Sequence, residues 1–144
     1  MGASGSANTT INNLEFTHMA DTSIYKQVPS ATDGPSPIAR VALFHLGHLV
    51  ATPGALRALE ELGVAPLSLV RRHVVGDWGD LCSEDQLANA AAIESGARIF
   101  SSYKLSSIKD GQKVEATIWL ITESTDGTIG GPRSHTTLLL PREY

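Results

Sequence analysis

The chain has 144 residues, with 11 Lys plus Arg against 15 Asp plus Glu, a formal net charge of −4. That length suits one domain, and a hydrophobic content of 42% is enough to give it a core. No apolar run reaches the roughly 18 residues of a membrane span, the acidic balance argues against a nucleic-acid-wrapping face, and the lone Cys82 excludes an internal disulfide.

Residues 1–13 are rich in Gly, Ala, Ser, Asn and Thr, with no apolar periodicity. The pair His18-Met19 is what a common cloning site encodes at a start codon, so residues 1–18 are expected to be an expression tag. Neither a basic segment nor a long apolar one follows Met1, so this is not a secretory signal, and a cytoplasmic protein is expected. Residues 19–37 hold Pro29, Gly34, Pro35 and Pro37 and read as a flexible leader. A single domain is expected over 38–144.

Residues 38–51 are apolar and β-branched enough for a strand. Thr52-Pro53 then supplies an N-cap followed by Pro at the first helical position. A short helix over 54–62 carries Leu56, Leu59 and Leu62 on one side and stops at Gly63. Pro66 opens a second helix over 66–75, with Leu67, Val70 and Val74 as its stripe, ending at Gly76. Ser83 to Gln86 is a capping-box pattern, with Glu84 and Asp85 where the helix dipole favours carboxylates. That third helix runs to Ser95 before Gly96. Leu87, Ala88, Ala91 and Ala92 share a face, which predicts a close approach to whatever it packs on.

Three strands follow. Residues 98–105 alternate, Asp110-Gly111 marks a hairpin turn, and 114–122 has apolar residues on both faces of its second half, as in a central strand. Four of the residues in 124–133 are Gly or Pro, so that stretch is a loop. The last strand, 135–140, ends at Pro141. Strands after helices predict an α+β fold: a small antiparallel sheet of three or four strands covered by two or three short helices.

The densest polar cluster runs from His73 to Cys82. His73 and Asp77 lie four apart, so one more helical turn would put them on one face as an acid/base pair, with Asp80 as a second carboxylate. Glycines flank Asp77-Trp78, a tight path that either buries the Trp78 ring or displays it. No metal-ligand spacing occurs, and His45 and His48, three apart on a predicted strand, fall on opposite faces. Neither a nucleophile elbow nor a phosphate-binding glycine loop is present, and Arg133 and His135 beside the glycines are the one hint of an anion site. No metal or other cofactor is expected.

The segment Arg72-His73-Val74-Val75-Gly76-Asp77-Trp78-Gly79-Asp80-Leu81 resembles a family of small bacterial proteins carried by plasmids, phages and other mobile elements. So do Arg98 to Tyr103, Ile118 to Glu123, and Thr136 to Tyr144. The resemblance covers about residues 43–144, and this chain departs from it in a longer Gly-rich loop over 124–132. It implies no activity. It does imply a mobile-element protein, and three functional expectations result. The first is a non-enzymatic binding or regulatory module for a protein partner, with Asp77, Trp78, Asp80 and Arg133 as the contact residues. The second is a small hydrolase using His73 with Asp77 or Asp80. The third is an acidic DNA mimic, which requires carboxylates along one face.

Overall fold

The computed structural model describes residues 9–10 and 40–144. The expected leader, and the expected tag apart from Thr9-Thr10, lie outside the described residues. The elements are strands β1 (Thr9–Thr10) and β2 (His48–Ala51), helices α1 (Pro53–Leu62), α2 (Pro66–Val74) and α3 (Ser83–Ser95), strands β3 (Ile99–Lys109), β4 (Gln112–Thr122) and β5 (His135–Leu139), and a 3-10 turn at Pro141–Glu143. The fold is α+β, with one sheet in the order β1-β2-β5-β4-β3. The last three strands are antiparallel, whereas β2 lies parallel to β5, so the sheet is mixed.

Local chemistry accounts for most boundaries. Thr52 caps α1 by accepting the Ala55 amide at 3.1 Å, and Gly63, at φ 72°, closes it. Helix α2 ends in a Schellman motif: Gly76 N–H donates to His73 C=O and Asp77 N–H to Arg72 C=O, with Gly76 at φ 90°. Strand β2 is shorter than the expected 38–51, only His48–Ala51. Gly47 breaks the extended run at φ 68°, where a Cβ would lie 2.3 Å from the Arg133 carbonyl oxygen.

The core fills the space between the sheet and α1 and α2. Leu59, Leu69, Val70, Tyr103, Ile118 and Leu120 are all buried there. Helix α3 departs from expectation twice. Its N-cap is Cys82 without a side-chain cap bond, and Gln86 instead donates to the Leu81 carbonyl. Its Ala face is also largely wet: Ala88 and Ala91 are exposed and Leu87 is 71% exposed, while Asn89, Ala92 and Gly96 are buried. Spacing of three and four selects that narrow strip. A narrow strip suffices because α3 runs beside the outer edge of β3 rather than over a sheet face.

Candidate functional site

His73 is fully buried at the end of α2. Its Nδ1 lies 2.5 Å from Ser101 Oγ and its Nε2 2.8 Å from Thr122 Oγ1. Thr122 Oγ1 in turn meets Thr136 Oγ1, which donates to the Leu46 carbonyl. That carbonyl only accepts, so the proton order runs back through the chain. Thr136 accepts from Thr122 and Thr122 accepts from His73 Nε2–H, so Nε2 carries a hydrogen. Burial keeps the ring neutral, which leaves Nδ1 to accept from Ser101. Burial, and secondarily the charge of Arg133, lower its pKa to about 3.

Neither ring nitrogen bonds Asp77 or Asp80, so the expected acid/base pair is not formed. The reason is the Schellman turn at Gly76, which ends α2 one turn too early to put residues 73 and 77 on one helical face. Asp77 pairs instead with Arg72, Nε to Oδ2 at 2.7 Å, and accepts the Gly79 amide. The Arg72 hydrogen bond, reinforced by that amide, holds the Asp77 carboxyl below its ordinary range. The Arg72 guanidinium also stacks 4.5 Å over the Tyr103 ring, whose hydroxyl donates to the Asp77 carbonyl. Burial raises the Tyr103 pKa.

The glycine-flanked segment serves as a seal on the outer edge of β3. Asp80 N–H donates to Ser102 C=O at 2.6 Å, and Ser102 N–H donates to Trp78 C=O. The Asp80 carboxylate accepts the Lys104 amide at 2.7 Å. From α3, the Asn89 amide takes both backbone groups of Phe100, donating to its carbonyl at 2.6 Å and accepting its N–H at 3.1 Å. Gly79 must be glycine here, since a Cβ would lie 2.2 Å from Ser102 O at a φ of 75°. Trp78 is 9% exposed, packed against Phe44, His73, Ala92 and Ile99.

Arg133 is buried too. It donates to the carbonyls of Ala97, Glu123 and Ala92, which include the closing turn of α3. Burial lowers its pKa, and among the described residues it makes no ion pair. Of the expected contact residues Asp77, Trp78, Asp80 and Arg133, Trp78 and Arg133 are buried in the framework, whereas Asp77 is half-buried and Asp80 exposed, both also bonded to the framework through their carboxylates. Glu84, Asp85 and Glu94 lie roughly 80° to 180° apart around α3, so they form no acidic stripe. Among the described residues no group of three or more His, Cys, Asp or Glu side chains is placed to hold a metal ion, and no helix is long and apolar enough to cross a membrane.

Sequence reasoning missed Ser101, Thr122 and Thr136, the partners that satisfy His73. A clue was present: Ser101 shares the strand parity of Ile99 and Tyr103, so a polar side chain was bound for the core. It also missed the open edge. Asp110 at φ 50° and Gly111 at φ 79° make a type I′ turn, so Lys109 and Gln112 are a hydrogen-bonded pair. Even-numbered residues of β4 therefore bond β3, and odd-numbered ones face away. Trp119 and Ile121 face β5, which pairs only with 119–122. Thr117, Glu115 and Lys113 face no strand among the described residues. Compared with known proteins, the chain matches no family model, no curated sequence and no solved structure.

Proposed function

We propose that the protein is a non-enzymatic binding module of a bacterial mobile element, acting on a protein partner. The observation that carries this reading is the β3–β4 hairpin. Its strands of eleven residues each outrun their neighbours, leaving backbone donors and acceptors available on both sides of the distal half. An unpaired strand edge is a template for another chain. The histidine that a hydrolase would need is neutral, enclosed and saturated with hydroxyl partners, which favours binding over catalysis.

The reading is tested with a photo-cross-linking amino acid placed at Ile108 near the hairpin tip, or at Leu87 on α3. The two positions are 70% and 71% exposed, so accessibility is matched. In a bacterial host, Ile108 is expected to cross-link a discrete protein and Leu87 is not. Equal labelling from both, or a turnover abolished by His73→Ala in a variant that still folds, overturns it.

A further inference from the structure

The inner edge of β4 is open for a structural reason. Pro141 has no N–H to continue the ladder. The tail is then held away: Glu143 accepts the Leu140 amide at 2.8 Å and the Thr52 hydroxyl at 2.5 Å. The carboxylate thereby ties the C-terminal turn to the start of α1. A groove of about 350 Å³ remains between α1, residues 114–117 of β4 and residues 140–142. Its floor offers the N–H and C=O of Glu115 and Thr117, which the turn geometry aims away from β3. These four groups sit at the repeat of an extended peptide, and about five residues of strand fit along 113–117.

Charge narrows the occupant. The groove carries Arg57 from α1 and Arg142 from the tail. Glu115 on the same lining is ion-paired with Lys113 at 2.6 Å. Glu61 is the remaining acid, whereas neither arginine forms an ion pair among the described residues. We propose that this groove takes an extended segment of a partner protein as an added strand beside β4, with an acidic side chain set between Arg57 and Arg142. This rests on the protein-binding reading and specifies the surface and the chemistry of the partner.

The probe is a library of random linear peptides displayed on phage and selected against the full chain. Enriched peptides are expected to share an acidic residue flanked by β-branched or aromatic ones. The synthetic form of the best should lose at least about tenfold in affinity to the charge-reversed double variant Arg57→Glu/Arg142→Glu. Thr117→Pro removes an N–H aimed at the groove and should match that loss. Ser106→Pro alters the opposite edge and should leave affinity unchanged. Circular dichroism and urea midpoints check that each variant folds, and the surface charge reversal keeps the test decisive if a proline variant does not.

Equal affinity for the charge-reversed variant, or no acidic enrichment, overturns the proposal. So does protection of the Glu115 and Thr117 amides from exchange in the free chain. Concentration-independent protection assigns the groove to another segment of the same chain, and concentration-dependent protection assigns it to a second copy. If Ile108 cross-links a partner while the groove variants bind normally, the binding reading stands and this inference fails.

Discussion

Along its outer edge the β3–β4 hairpin is sealed from Phe100 to Lys104, whereas along its inner edge β4 has, among the described residues, no strand beside it below Trp119. The outer seal is made without a strand. The Asn89 amide, the backbone at Trp78 and Asp80, and the Asp80 carboxylate meet Phe100, Ser102 and Lys104 in turn. Each imitates the peptide group a neighbouring strand would offer. The inner edge has a true neighbour in β5, but that neighbour leaves at Pro141 and is tied off by Glu143. A borrowed seal can be cut to length by single residues, and a strand stops where its chain turns. The outer edge is thus protected against unwanted pairing over Phe100 to Lys104, and the inner edge is left with a defined gap.

The difference can be broken at the seal first. Gly79→Ala drives a methyl group against Ser102 O and Tyr103, and is expected to cost about 3 kcal/mol or more in urea denaturation. An unchanged midpoint would mean that residues 78–80 do not hold the edge. Acid is next, because His73 joins α2 to both hairpin strands. Its folded-state pKa lies below the unfolded value, so the unfolded state takes the extra proton. Stability should be intact above about pH 6.5 and fall by up to about 1.4 kcal/mol per pH unit toward pH 3. Urea midpoints against pH measure this, and His73→Gln should flatten the slope.

Asn89→Ala removes two hydrogen bonds at one rung and is expected to cost about 2 kcal/mol. Faster exchange should appear at the Phe100 amide before Ser102, sharpening which part of the seal each residue supplies. The smallest effect belongs to Asp77→Asn. The Arg72–Asp77 pair is more than a third exposed on both sides, and Asn retains an oxygen for the Gly79 amide. About 0.5 kcal/mol is expected, screened by salt. A loss of several kcal/mol would show that the pair, rather than the Gly79 turn, sets the segment's shape.

The candidate site was only partly legible in the sequence. Gly79 announced a special backbone position by its residue type, and the flanked Trp78 was readable as core or display. What Asp80 meets lies 24 residues away on β3, and what His73 meets lies 28 and 49 residues away. A sequence window of helical or strand period contains none of these partners. The misread face of α3 has the same origin. Four apolar or small residues at helical spacing fit burial, yet only Ala92 among them is buried, because the helix meets an edge instead of a face.

The sequence by itself determined the elements whose causes are local. Thr52-Pro53 starts α1, Gly63, Gly76 and Gly96 stop helices, Asp110-Gly111 turns the hairpin, and alternation puts Ile118 and Leu120 inward. Caps, turns and periods act within a few residues, so composition and spacing suffice to read them. The tertiary structure alone decided that β2 runs parallel to β5, that Asn89 and Asp80 close one edge, and that Glu143 leaves the other open. These depend on which distant groups meet, and a buried or edge-exposed polar group is satisfied by whichever partner folding brings within reach.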